Sequence, residues 1–234
     1  MWCAGFPIWQ QVNPLVRFFF LLIALIHESN GTTIVSVSGP PVTGSYTISN
    51  VIDFSTQAAA SSWTSSIPYS DVDIDAVLGQ GIAGTQGIAY LMTQIGPGTT
   101  TASEVARSNF SFPSDVTSIT LFTGLTLTTG TYYLVLGSAG PYVAGDWHDA
   151  LPNPTIVLGA GVTRNGDYLA NNLSTYTPAS VFRQNAGIDG DPFLQYSVAT
   201  IPEPATFVML GGGLLVLACA FASCRSLFYR RWSR

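Results

Sequence analysis

The sequence predicts an all-β body, an antiparallel β-sandwich of jelly-roll-like kind, carried between two terminal segments of different character. Three observations predict it. Runs rich in Thr, Ser, Val, Ile and Tyr recur between turn-forming pairs such as Gly-Pro, Gly-Asp and Asn-Gly. One run alternates strictly, with Val72, Ile74, Ala76 and Leu78 on one face and Asp71, Asp73 and Asp75 on the other. No long stretch between the two ends repeats apolar residues at i, i+3 and i+4, the spacing of an amphipathic helix.

The strands follow in order. Thr32–Ser38, Tyr46–Phe54, Ser70–Leu78 and Gly87–Ile95 make the first half, and Val116–Phe122, Gly130–Ser138, Pro154–Val162 and Pro192–Thr200 the second. Within the sixth, TYYLVL is apolar on both faces, as expected of a central strand covered on both sides. Short strands with these spacings suit two packed antiparallel sheets. A body spanning 32–200 is large enough to fold without disulfides.

Only 9% of the 234 residues are charged, against roughly 25% in ordinary soluble domains. Lysine is absent, and all eight basic residues are arginine. Between Ser29 and Thr200 eleven acids face three arginines, a net charge of −8. That surface has no attraction for nucleic acid or anionic headgroups. Cys3, Cys219 and Cys224 all lie outside this stretch, which excludes a disulfide, a thiol nucleophile or a cysteine metal ligand from the body.

The ends are addresses. Arg17 precedes nine unbroken apolar residues, Phe18–Ile26, and Ser29-Asn30-Gly31 then offers the small side chains a signal peptidase reads. The run is short for a spanning helix, so residues 1–31 are expected to be a signal peptide. At the other end, Ala205–Cys224 is twenty residues without a charge, enough to cross roughly 30 Å of hydrocarbon as a transmembrane helix. Arg225, Arg230, Arg231 and Arg234 follow it and predict a cytoplasmic C-terminus by the positive-inside rule. A signal peptide places the body on the opposite side, so both ends give one topology.

Pro202-Glu203-Pro204 stands directly before the apolar run, within Ile-Pro-Glu-Pro-Ala-Thr. A proline suits the first turn of a helix, but two of them bracketing an acid hold Glu203 extended and deny it helical hydrogen bonds. This block, an apolar helix and an arginine cluster in that order resemble the PEP-CTERM sorting signal of Gram-negative bacteria. One departure is that Ser226–Tyr229 separate Arg225 from the remaining arginines. The resemblance covers 201–234 and implies that exosortase, a membrane-embedded transpeptidase-like protease, recognises Pro202, Glu203 and Pro204. It further implies transient residence in the inner membrane and delivery to the cell surface, exopolysaccharide or biofilm matrix. Tails of this kind also occur on proteins labelled ice-binding. Residues 103–138, through FTGLTLTTGTYYLVLGS, more loosely resemble exported bacterial β-sandwich domains with interchangeable tails.

Within the body, chemistry-bearing residues are sparse. Asp71, Asp73 and Asp75 suggest a calcium site, yet an EF-hand loop from Asp71 needs glycine where Ala76 stands and glutamate where Ile82 stands. A solvated strand face is the plainer reading. The GDWHD stretch, Gly145–Asp149, reads as a loop and holds His148, the body's one histidine. Zinc needs more nitrogen or sulfur ligands than this chain offers, and no Gly-x-Ser-x-Gly elbow supports a Ser-His-Asp hydrolase. Trp147, Tyr142 and Trp63 are candidate glycan contacts, since flat rings cover apolar saccharide faces, although aromatics more often pack in cores. Asn165-Gly-Asp and Asp189-Gly-Asp read as turns. Threonines 99–101, 126, 128 and 129 are too scattered for a regular ice-binding array.

The expectation is an exported, non-enzymatic surface or matrix protein, with no cofactor and no nucleic-acid partner. A carbohydrate-binding module on exopolysaccharide is the alternative.

Overall fold

The computed structural model describes residues 31–40, 44–51, 54–81, 85–140, 144–184 and 193–201. The expected signal peptide apart from Gly31, the sorting tripeptide, the apolar run and the C-terminal arginines lie outside them. Gly31–Ile201 forms one compact unit. Among the described residues the regular structure is thirteen strands and two 3-10 turns, every strand pair is antiparallel, and no helix is long and apolar enough to cross a membrane.

The strands are β1 (Thr33–Ser38), β2 (Ser45–Val51), β3 (Phe54–Ser65), β4 (Tyr69–Gly79), β5 (Gln86–Met92), β6 (Glu104–Ser111) and β7 (Thr117–Leu127). Then come β8 (Gly130–Ser138), β9 (Ala144–His148), β10 (Thr155–Leu158), β11 (Val162–Ala170), β12 (Arg183–Gln184) and β13 (Tyr196–Thr200). They hydrogen-bond in the order β10-β1-β13-β4-β9-β2-β3-β8-β5-β6, with β7 added to β4 and β11 to β3. The twelve-residue β3 joins the two halves: its start pairs with β2, and the remainder lies between β8 and β11. The last strand is internal, flanked by β1 and β4.

Both halves contribute to one core. Ile34, Val37, Ile48, Ile74, Leu78 and Val198 come from the first, and Trp63, Leu91, Leu134 and Leu136 from the second. Each fully buried aliphatic side chain stabilises the fold by about 1.5–3 kcal/mol. The alternation read in β4 is real: Val72, Ile74, Ala76 and Leu78 are all 0% exposed, while the aspartates between them reach solvent.

Several element boundaries differ from expectation. The Tyr46–Phe54 run divides, with β2 ending at Val51 and β3 beginning at Phe54, and β3 continues through Ala58–Ser62. Those alanines and serines lack β-branched side chains, yet lie buried between two neighbouring strands that need small residues there. The Pro154–Val162 run also divides, into β10 and the start of β11, at Gly159-Ala160-Gly161, where Gly161 takes φ +70°. Gly145–Asp149 is not a loop. It forms most of β9, and Asp149 bridges to Leu194. Asn165-Gly166-Asp167 is a bulge inside β11, with Gly166 at φ 115°. Asp189–Asp191 lies outside the described residues.

Candidate functional site

The structural end of the body is stitched on both sides. Thr200 pairs with Val72 of β4, and its backbone N–H donates to the carbonyl of Thr32 at 3.0 Å. Thr32 N–H returns a bond to the Thr200 hydroxyl at 2.8 Å. The N–H of Ile201 then donates to the carbonyl of Asp71 at 2.7 Å. Asp71 presents that carbonyl from a left-handed conformation, φ 51°, at an irregularity between Tyr69 and Val72 in the β4–β7 ladder. The next residue is Pro202, which has no N–H to continue the ladder. β13 closes at Thr200, and in the sequence the sorting tripeptide begins one residue after Ile201 is bonded.

The body's candidate residues take other roles. Trp63 and Trp147 are both 0% exposed, so neither offers a ring face to a saccharide; this corrects the glycan-contact expectation for both. Trp63 stacks on Tyr132 and tilts against Tyr196, with centroids 5.9 Å away in each case. Trp147 donates its indole N–H to the carbonyl of Gln195 at 2.9 Å. Full burial makes both core residues, and Trp147 alone of the two has its indole N–H bonded. Tyr142 lies outside the described residues.

His148 is 1% exposed, and Asp146 beside it in β9 accepts from the Ser45 hydroxyl at 2.7 Å. Asp149 is 6% exposed, and burial pushes its carboxyl above the ordinary range, against a backbone hydrogen bond from Leu151 and the nearby His148. The three β4 aspartates do not converge. Asp73 accepts from the Gly124 N–H at 3.1 Å and Asp75 from the Ser197 hydroxyl at 3.2 Å, on opposite neighbouring strands. Among the described residues no group of three or more His, Cys, Asp or Glu could hold a metal ion.

Two polar arrangements escaped the sequence reading. Arg164 and Asp167 form an ion pair at 2.6 Å with side chains 8% and 0% exposed, and Asp167 also accepts from the Leu194 N–H at 2.9 Å. The second lies across the other face of the β11-β3-β8-β5-β6 ladder, where Tyr168, Ala60, Val135, Tyr90 and Arg107 stand in one register row. The segment after β11 packs there through Tyr176, whose hydroxyl donates to Glu104 at 2.8 Å. Burial and the Glu104 carboxylate push that phenol up to about 12. Arg107 pairs with Glu104 at 2.7 Å and lies 5.0 Å over the Tyr90 ring. A strand bulge and a long return segment create these groupings, and neither leaves a short motif.

Set against this geometry, the class defined is that of a chain whose folded body runs without a spacer into a terminal sorting signal. The family model described as the PEP-CTERM protein-sorting motif matches residues 200–225, beginning at the last residue of β13. The chain carries that motif, the signal of exported bacterial surface proteins sorted by exosortase. Comparison with curated proteins finds no match, and comparison with solved structures finds none either.

Proposed function

We propose that the chain is a non-enzymatic surface or matrix protein of a Gram-negative bacterium, with a two-layered β body as its exported cargo. A signal peptide over 1–31 starts export. The apolar segment 205–224 then holds the protein in the inner membrane, with Arg225, Arg230, Arg231 and Arg234 on the cytoplasmic side. Exosortase recognises Pro202, Glu203 and Pro204, and the body passes to the cell surface or the exopolysaccharide matrix. The observation that carries this reading is the motif at 200–225, which starts where β13 ends. Burial of the body's histidine and of both candidate tryptophans supports a cargo role over catalysis or sugar stacking by those residues.

The test is fractionation of a host that makes exosortase. The wild-type chain is expected in the surface or matrix fraction, and a chain with Pro202, Glu203 and Pro204 all changed to alanine in the inner membrane. Equal surface delivery of both would refute the reading.

A further inference from the structure

The end of the body from which the sorting segment departs has a surface of its own. Thr32, Asp71 and Ile201 meet there through the bonds that finish β13. The Ser66 N–H donates to the carbonyl of Gly161, and the Tyr69 hydroxyl to that of Ala160, which ties two further turns to the same end. Leu127 pairs with Tyr69 and Gly130 with Ser65, adding the turn between β7 and β8. The turns 66–68, 128–130 and 159–161 contain no charged residue. Ile67, Leu158 and Ile201 are 40%, 45% and 42% exposed there, and Pro68 and Ala160 are exposed too. In a body with eleven acids, the exposed Asp71 is the one charged side chain among these residues and turns.

The chain provides no spacer. Ile201 is still bonded to β4, and a fully extended chain covers about 3.5 Å per residue, so Pro202–Pro204 reach about 10 Å. A body tethered that closely to a segment entering a bilayer must present this end to the lipid headgroups. We propose that this sparsely charged, isoleucine- and leucine-bearing pole seats against the lipid interface of the leaflet on the body's side. Burying exposed aliphatic side chains at the headgroup boundary is favourable, and Tyr69 is of a residue type enriched at that depth. Repulsion from anionic lipid is limited at this end to Asp71 and the adjoining Glu203, because the three turns carry no acid. The inference rests on residues 205–224 acting as a membrane anchor.

The test uses the full chain with Cys3, Cys219 and Cys224 changed to serine and one cysteine introduced for an environment-sensitive label. Ile67→Cys and Leu158→Cys report the proposed pole. Asp115→Cys reports the opposite end, beyond β6 and before Thr117, which pairs with Leu78. Each protein is reconstituted into phosphatidylethanolamine–phosphatidylglycerol vesicles containing a doxyl-labelled lipid. Labels at 67 and 158 are expected to lose most of their emission, and the label at 115 to keep it. If the chain floats with the vesicles but all three labels stay bright, the docking proposal falls while the anchor stands. If the chain does not float with the vesicles, the anchor reading falls and takes the proposal with it. Shielding at 67 and 158 that needs added exosortase would make the partner a protein and overturn lipid as the occupant.

Discussion

Ile201 donates its backbone N–H to the carbonyl of Asp71 at 2.7 Å, which ties the residue before Pro202 to β4 just past the end of β13. The same β13 is held along both edges, by Thr33–Val37 of β1 and Val72–Ala76 of β4. A protease that needs extended substrate upstream of the tripeptide must compete with these bonds. Replacing Thr200 by valine removes the hydroxyl that accepts from Thr32 and costs about 1 kcal/mol. The expected result is a small fall in Tm with faster exosortase processing, read as a time course of the mature form; slower processing would contradict it.

Sorting and folding are separable in this chain. Glu203→Gln leaves every described bond in place, so its Tm is expected to match wild type while processing falls. Differential scanning calorimetry on the same preparations used for the processing assay checks both halves of the statement.

Among the described residues the Arg164–Asp167 pair is the more buried of two ion pairs. With Asp167 at 0% side-chain exposure, Arg164→Ala leaves a buried carboxylate without its cation, at a cost of about 3–5 kcal/mol. Urea unfolding is expected to show a midpoint shift of that size, larger than for Arg107→Ala. Arg107 pairs with Glu104 from a side chain 42% exposed, where such pairs contribute about 0–1 kcal/mol.

Asp149 gives a pH dependence with a definite sign. Its folded pKa is raised by burial, so between the unfolded value and the folded one the native state holds more protons than the unfolded state. Stability contributed by this group therefore falls as pH rises through that window, the opposite of a salt-bridged aspartate. Asp149→Asn removes the titration and keeps a side-chain oxygen to accept from Leu151. The variant is expected to be the more stable protein at neutral pH, and the difference from wild type is expected to shrink as acidification carries the folded carboxyl through its raised pKa, and to level off below about 4. Chemical denaturation across that range measures it.

How much of this was visible beforehand depended on the residue. In β4 the period-two pattern carried through to burial, residue by residue, because one face meets the core and the other meets water. β8 was equally legible, since an uninterrupted apolar run fits a strand covered on both faces, with Leu134 and Leu136 in one buried cluster and Val135 in another. β3 was not, because Ala58–Ser62 is small and featureless in sequence and is buried only through what β8 and β11 bring to it. β9 was mistaken for a loop because Gly145, Asp146 and Asp149 are turn formers; in the fold, Gly145 lies against the ring of Phe112 and Asp146 against Ser45. Trp63 and Trp147 were ambiguous in principle, since an aromatic side chain looks alike in sequence whether it binds a sugar or fills a core. The start of the sorting motif was the clearest feature of all, as prolines and an acid before an apolar run and arginines leave their mark in the sequence itself.

Trp147→Ala separates those two roles. Loss of a fully buried indole and of its bond to Gln195 costs about 3–5 kcal/mol. A lowered Tm is expected, whereas Trp147→Phe should recover much of the packing. A glycan array probed with the Trp147→Phe protein is expected to match wild type; selective loss of a glycan signal would return Trp147 to a binding role.

The central claim is that the segment from Thr200 onward is a processed sorting signal on a folded β cargo. Intact-mass and C-terminal peptide mass spectrometry of surface-located protein, from hosts with and without exosortase, tests it most directly. The expected result is a chain shortened within or near 200–225 in the first host, and a chain still ending at Arg234 and retained in the inner membrane in the second. A surface-located chain ending at Arg234 in the exosortase-bearing host would contradict the claim.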